Sequence, residues 1–267
     1  MKRLILAAAL ATGLVGTAYA HDALKEAIAS KDRTPANVAR DSARHPYETL
    51  SFFGIKPNMT VAELSPGGGW YTEILAPYLR DSGKLIAAGE SPASTNEYAK
   101  KSATRLTTKL EANPAMYAKV QRGVFEVPRD FNSFAPANSV DMVVTFRNLH
   151  NWASEGDAKL QDIFKSVHTA LKKDGVFGVV EHRAPAGKPV DSKSGYMHEA
   201  EVIKMIEKAG FKLAAKSEVN ANAKDTADHP KGVWTLPPVL ALKDVDREKY
   251  LAIGESDRMT LKFVKPK

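Results

Sequence analysis

The sequence predicts an α/β fold, a mostly parallel sheet covered by helices on both faces, and three observations carry that reading. Short apolar, β-branched runs recur along the chain, at Met59–Leu64, Val140–Phe146 and Val176–Glu181. Stretches with apolar residues at helical spacing lie between them. The first run also ends in a glycine-rich turn that opens directly onto such a helical stretch. Strands buried on both faces read as continuous apolar runs, and alternation with helices points to crossover units and parallel pairing.

Short helical stretches at Ala23–Ser30 and Pro35–Ser42 come first. Pro46 suits the first turn of a helix carrying Leu50, Phe52 and Phe53, and Gly54 suits its end. Met59–Leu64 reads as a strand, Trp70–Leu79 as a helix, Lys84–Ala88 as a strand and Asn96–Leu110 as a polar amphipathic helix. A weak strand is expected near Tyr117–Arg122. Val140–Phe146 is a stronger one, bounded by turn residues. Lys159–Leu171 places Leu160, Ile163, Phe164, Val167 and Leu171 on one helical face, and Asp174-Gly175 turns the chain into Val176–Glu181. Glu199–Ala209 is helical with Gly210 as its stop, leading to strands at Phe211–Glu218 and Met259–Val264. Val219–Ser256 is long, rich in Pro, Asp and Lys, and contains GVWTLPP. No repeat or linker interrupts this order, so one domain is expected over residues 21–267, with a helical extension at its N-terminal end.

Composition narrows the function. Of 267 residues 43% are apolar, 26% charged and 8% aromatic, enough to build a core. The absence of Cys excludes disulfides, a cysteine nucleophile and a thiolate metal site. Lys2 and Arg3, the apolar run Leu4–Gly16 and Ala18-Tyr19-Ala20 make up a secretory signal peptide over residues 1–20, with cleavage after Ala20. The apolar run has thirteen residues, whereas a membrane-spanning helix needs about 20. A periplasmic or secreted protein without a membrane anchor is therefore expected. Losing Lys2 and Arg3 would trim the formal charge of +7 by two, and the remaining basic residues are scattered. A nucleic-acid groove would need a concentrated stripe.

In an open parallel sheet, ligands bind beyond the C-terminal ends of the strands. The first such tip reads VAELSPGGGWYTEIL. Gly67 and Gly69 fit the first two glycines of a dinucleotide fingerprint, but Thr72 occupies the third slot, which counts against nicotinamide chemistry. His150, and the Glu181-His182-Arg183 cluster, fall at later tips, where His or Glu can take a proton from an acceptor. The bland alternative is a Glu181–Arg183 ion pair and a His150 that satisfies a loop carbonyl. His198-Glu199 does not continue as HExxH, and the spacing of His150, His182 and His198 defines no metal site. His45 reads as closing a turn or packing over the cleft, His168 as surface, and Trp152 and Trp234 as core or as an aromatic wall.

ELSPGGGW, PANSVDMVVTFRNLHNW, LKKDGVFGVVEH and AGFKLAAKSEV, in that order, resemble the class I S-adenosylmethionine-dependent methyltransferases, and more narrowly their exported bacterial branch. The resemblance covers about residues 45–265. It implies a Rossmann-like, seven-stranded α/β sheet and S-adenosyl-L-methionine as cofactor. On this basis Glu63 faces the methionine part, Ser65, Gly67, Gly68 and Gly69 form the cofactor loop, and Phe146 and Asn148 line the methyl-transfer pocket. Three positions depart from the family pattern. Ser65-Pro66 replace Gly and a small residue. Gly89 stands where the ribose-binding acid is expected, with Glu90 following. Near Gln121–Phe125 no acid is available for adenine, and Glu126 is the nearest. The implied activity is methyl transfer to a small molecule, with His150, Glu181 and His182 as catalytic candidates, no metal and no nucleic acid. The rival expectation is an exported small-molecule-binding protein that keeps the fold without catalysis, since the cofactor is made in the cytoplasm and a fold does not guarantee its usual function.

Overall fold

A computed structural model describes residues 22–266; the signal-peptide expectation falls on residues outside that range. Four short helices lead in: α1 (22–28), α2 (Pro35–Val38), α3 (Asp41–Arg44) and α4 (Pro46–Phe53). His45 joins the last two in a left-handed conformation, φ 43°, so the turn expected there is present. Then follow β1 (Thr60–Leu64), α5 (Thr72–Leu79), β2 (Lys84–Gly89), α6 (Glu97–Ala112), α7 (Pro114–Tyr117) and β3 (Gln121–Val124). The second half is β4 (Val140–Phe146), α8 (Leu149–Ala153), α9 (Asp157–Ala170), β5 (Leu171–His182), α10 (Glu199–Lys208), β6 (Lys212–Ser217), α11 (Arg247–Ile253) and β7 (Arg258–Val264).

The seven strands form one sheet in the order β3-β2-β1-β4-β5-β7-β6. β1 to β5 pair in parallel, while β7 runs antiparallel between β5 and β6. Side chains alternate across the sheet, as the two-residue period of a strand requires. Ala62, Leu64, Val143, Phe177 and Val179 feed the core on one face; Val61, Met142, Val144 and Val180 feed the other. The seven-stranded Rossmann-like α/β expectation holds in this order and pairing.

The N-terminal helices do more than lead in. A Cβ at Gly178 would lie 2.7 Å from the ring of Phe53, so the missing side chain in mid-strand β5 is what lets α4 seat against the sheet. Arg44 ends α3, and His45 links it to α4.

Several elements differ from expectation for local reasons. Asn113 caps a short helix, its side chain accepting from Met116 N, and Pro114 starts it. That turn displaces the weak strand, which forms at Gln121–Val124 instead of Tyr117–Arg122. β5 begins at Leu171, because a register shift against Val140/Met142 absorbs Lys172–Gly175 as an irregularity within the strand. Lys172 Nζ donates to Asp141 Oδ1 at 2.7 Å across that irregularity. α8 and α11 were not visible as periodic patterns, being five and seven residues long. No helix among the described residues is long and apolar enough to cross a membrane.

Candidate active site

Strand order reverses between β1 and β4, where one half of the sheet builds outward through β2 and β3 and the other through β5. Such a reversal leaves a crevice at the C-terminal strand ends. A cavity of about 490 Å³ occupies it, lined by residues that include Ser65, Gly67, Glu90, Phe125, Asn148 and Trp152. Its size falls within the few-hundred-Å³ range of small-ligand sites.

The β1 tip is bent to expose backbone. Ser65 adopts φ 50°, held by its N–H on Ala88 O at 2.8 Å, and Gly67 follows at φ 57°. A non-glycine residue in that region stores strain, which surrounding contacts must hold. Asn148 supplies one of them: its Nδ2 donates to Leu64 O and Ser65 O, both at 3.2 Å, and to Thr145 Oγ1 at 3.0 Å. The β4 tip thereby locks the β1 tip. A Cβ at Gly67 would meet nothing within 4 Å, so the loop presents an open backbone cradle to the cavity.

Glu90 opens the second wall. One carboxylate oxygen accepts from Ser102 Oγ at 2.9 Å, which leaves the other for a ligand. The acid that the sequence displaces by one position thus still reaches the crevice. Glu126 also lines the cavity, but its carboxylate already accepts from Ser91 N at 3.1 Å, Ser94 Oγ at 2.6 Å and Arg129 Nη1 at 2.9 Å. Burial works to raise its pKa, yet those donors outweigh burial and hold the carboxyl below the usual range.

Four of the eight expected cofactor residues, Ser65, Gly67, Glu90 and Asn148, meet at this cavity; Glu63, Gly68, Gly69 and Phe146 do not line it. Glu63 is 2% exposed and accepts from Thr72 Oγ1 at 2.6 Å, turned under α5. Burial raises its pKa to about 7 against that hydrogen bond. Gly69, φ 73°, is backed by Lys109, whose Cδ would sit 2.9 Å from an added Cβ. Phe146 stacks on Tyr71 with ring centroids 3.5 Å apart, in the core.

The three catalytic candidates do converge, on the other side of α8. Glu181 is fully buried and accepts from Leu149 N (2.6 Å), His150 N (3.3 Å), His182 N (2.8 Å) and His150 Nδ1 (2.9 Å). Its carboxylate satisfies N–H groups at the start of α8 that have no partner within the helix. The Glu181–Arg183 ion pair is absent: Arg183 instead pairs with Asp257, Glu218 and Glu199. The His150 and His182 rings lie 5.2 Å apart, Trp234 meets His150 edge-on at 5.9 Å, and His182 Nδ1 pairs with Ser256 Oγ. Burial first, then the nearby His150 and arginines, pushes the His182 pKa well below its ordinary value, so this ring is neutral at pH 7.

Ligand atoms of His150, Glu181 and His182 lie within 4.8 Å of one another, a spacing that can hold a metal ion. The donor set fits one poorly. Glu181 is saturated by N–H donors and both Nδ1 atoms are engaged, leaving only two Nε2 atoms. His198 does not join them; it heads α10 beside a separate cavity with Arg183 and Asp257.

Sequence reasoning missed Arg44, Arg147 and Arg258, which gather beside this group and act on His182 through space. The signal was present in Arg147, a cation at a strand tip, but the other two lie far away in sequence and only the fold joins them.

No family model matches the sequence, and no curated protein matches it. Solved structures do match the fold. A SAM-dependent methyltransferase from Aquifex aeolicus superposes with a TM-score of 0.54 at 17% identity, covering 92% of this chain and 98% of that one. The [4+2]-cyclase SpnF gives a TM-score of 0.57 at 13% identity, covering 94% and 95%. With the strand order and the crevice at its reversal, these likenesses show that the chain has the fold of the class I S-adenosylmethionine-dependent methyltransferases.

Proposed function

We propose that the protein binds S-adenosylmethionine in the crevice between β1, β2 and β4 and transfers its methyl group to a small acceptor. The observation that carries this reading is the cavity at the strand reversal, where an open glycine backbone, a half-free carboxylate and the Asn148 amide converge. These residues fit the cofactor. Gly67 leaves room for a ligand to lie against the backbone, the free oxygen of Glu90 matches a ribose hydroxyl, and Phe125 and Trp152 supply an apolar wall for a flat base. Thr72, with its hydroxyl on Glu63, occupies the helix position that a dinucleotide fingerprint gives to glycine.

S-adenosylmethionine, when bound, supplies an electrophilic methyl group on a positively charged sulfur. The protein's part is to orient the acceptor and take its proton. Holding reacting groups in line can account for much of the rate of such a transfer. His150 suits the proton step: its Nδ1 donates to Glu181, which leaves Nε2 as the ring nitrogen that can take a proton. Glu181 is a positioning residue that fixes this tautomer. The group lies beside the cofactor wall, because Asn151 and Trp152 of α8 face the cavity while His150 faces β5. The same reading places the reaction outside the cytoplasm, on the strength of Lys2-Arg3, the apolar run and Ala18-Tyr19-Ala20.

The test is a labelled-methyl assay against fractionated small molecules. His150→Gln should cut turnover by about 10²–10⁴-fold, the usual contribution of a general base, while S-adenosylhomocysteine affinity stays within about twofold of wild type. Transfer that survives the substitution would remove His150 from the chemistry. Cofactor binding without transfer to any fraction would favour the non-catalytic binding protein.

A further inference from the structure

The loop that follows β1 carries Ser65 and Gly67 in the left-handed region, a conformation that its surroundings must hold. Asn148 fastens the leading end, at Leu64 and Ser65. The trailing end runs into α5, where Gly69 O accepts from Glu73 N at 3.1 Å, which ties the loop to the first turn of that helix. Trp70 and Glu73 there are 6% and 1% exposed, and the N-terminal helices hold both.

Glu73 is the deeper anchor. Its carboxylate accepts from Thr34 N at 3.2 Å and from Thr34 Oγ1, pairs with Lys109 Nζ of α6, and stands 4.0 Å from Arg33 Nε. Burial works to raise its pKa, yet these donors outweigh burial and hold the carboxyl below the usual range. Lys109 is also the residue that backs Gly69, so one carboxylate fastens the N-terminal segment and the support beneath the loop together. Trp70 is the second anchor. Its Nε1 donates to Asn37 O at 2.9 Å, and the guanidinium groups of Arg33 and Arg44 lie over its ring at 5.2 and 4.7 Å. Both distances are within the range of a cation–π contact.

The segment 33–44 is itself a braced piece. Arg33 forms a two-pronged pair with Asp41, at 2.6 and 2.7 Å, and its Nη1 also donates to Ile28 O at 2.8 Å. Arg40 Nε reaches Glu255, just ahead of β7, at 2.7 Å. Leu24 and Ala27 of α1 share a core with Trp70 and Tyr71. None of these residues lines the cavity; the segment grips the base of the loop instead. We propose that residues 33–44 form a strap that sets the cofactor loop, with Trp70 and Glu73 as its positioning residues, so that cofactor affinity is governed from outside the cavity. A loop fastened at both ends has less freedom to lose when a ligand settles on its backbone, which is the gain of preorganisation. This deepens the S-adenosylmethionine reading and rests on it for the identity of the ligand; the hold on the loop needs no ligand.

The experiment measures amide hydrogen exchange in the cofactor-free protein, and S-adenosylhomocysteine affinity by calorimetry, for wild type, Trp70→Leu, Thr34→Val and Thr34→Ser. In Trp70→Leu the Gly69 and Glu73 amides should exchange about 10-fold faster, the scale of one lost hydrogen bond with its cation–π contacts, while Val61 and Val143 in the sheet keep their rates. Affinity should fall by a similar factor. Thr34 is exposed, so Thr34→Val decides the matter even where Trp70→Leu folds poorly. It should loosen the same two amides and weaken binding about 2–10-fold, the range for one hydrogen bond. Thr34→Ser, which keeps the hydroxyl, should restore both. Unchanged exchange at Gly69 and Glu73 in both Trp70→Leu and Thr34→Val, or faster exchange there with wild-type affinity, overturns the strap. A wild type that ignores S-adenosylhomocysteine, with the two amides still loosened by these substitutions, upholds the hold on the loop and removes the cofactor reading instead.

Discussion

Glu63 shows what a single residue adds to the sequence reading. Its place at the acidic end of β1 was legible, but its carboxyl points under α5 to Thr72, away from the cavity. Strand alternation explains this: Glu63 shares its face of the sheet with Val61, whose side chain joins the core beneath α5. Burial raises its pKa from 4.5 to about 7, so the folded protein holds this proton more tightly than the unfolded chain does. The associated stability is complete below the unfolded value and is lost as pH rises through about 7. Glu63→Gln keeps the shape without the charge. In the cofactor-free protein the variant and wild type should melt alike near pH 4, below the unfolded value. Near pH 8 the variant should be the more stable, by at most roughly 3 kcal/mol at 1.36 kcal/mol per pH unit. Identical pH dependence of the two melting curves would show that Glu63 does not carry this proton.

At the scale of elements, the long apolar strands and the amphipathic α9 and α10 were readable because their periods repeat. α8 was not, because five residues give no period, and its stability comes from elsewhere. Glu181, at the end of β5 and two strands from β1 in the sheet, caps the first turn of α8 with one carboxylate oxygen on two successive N–H groups. Breaking such a buried charged contact costs about 3–5 kcal/mol. Glu181→Ala should therefore lower the melting temperature by on the order of 6–20 °C, at about 2–4 °C per kcal/mol for a chain of this length. His150→Ala, which leaves the cap intact, should cost far less. Thermal melts of both variants decide the point; equal losses would mean that the His150 ring, rather than the cap, is what Glu181 supports. The same contrast explains why half of the expected cofactor residues miss the cavity. The turn order Ser65–Gly69 was visible, but which of its residues faces the crevice depends on φ at Ser65 and Gly67 and on Lys109 behind Gly69.

For the whole molecule, alternation of strand and helix was enough to give the sheet, and the Gly-rich tip was enough to give its working end. What the sequence hides is convergence over long separations, such as Arg44 with Arg258 or Asn148 with Ser65. The fold alone leaves the chemistry open, since one of its structural neighbours is a [4+2]-cyclase. Function therefore rests on the crevice and on whether it takes the cofactor. Calorimetry with S-adenosylhomocysteine on wild type and Glu90→Gln tests this most directly. The account predicts saturable one-to-one binding, weakened about 10–100-fold in Glu90→Gln through loss of a charged hydrogen bond. A folded wild type that takes up no S-adenosylhomocysteine, or a Glu90→Gln variant that binds it as tightly as wild type, would contradict it.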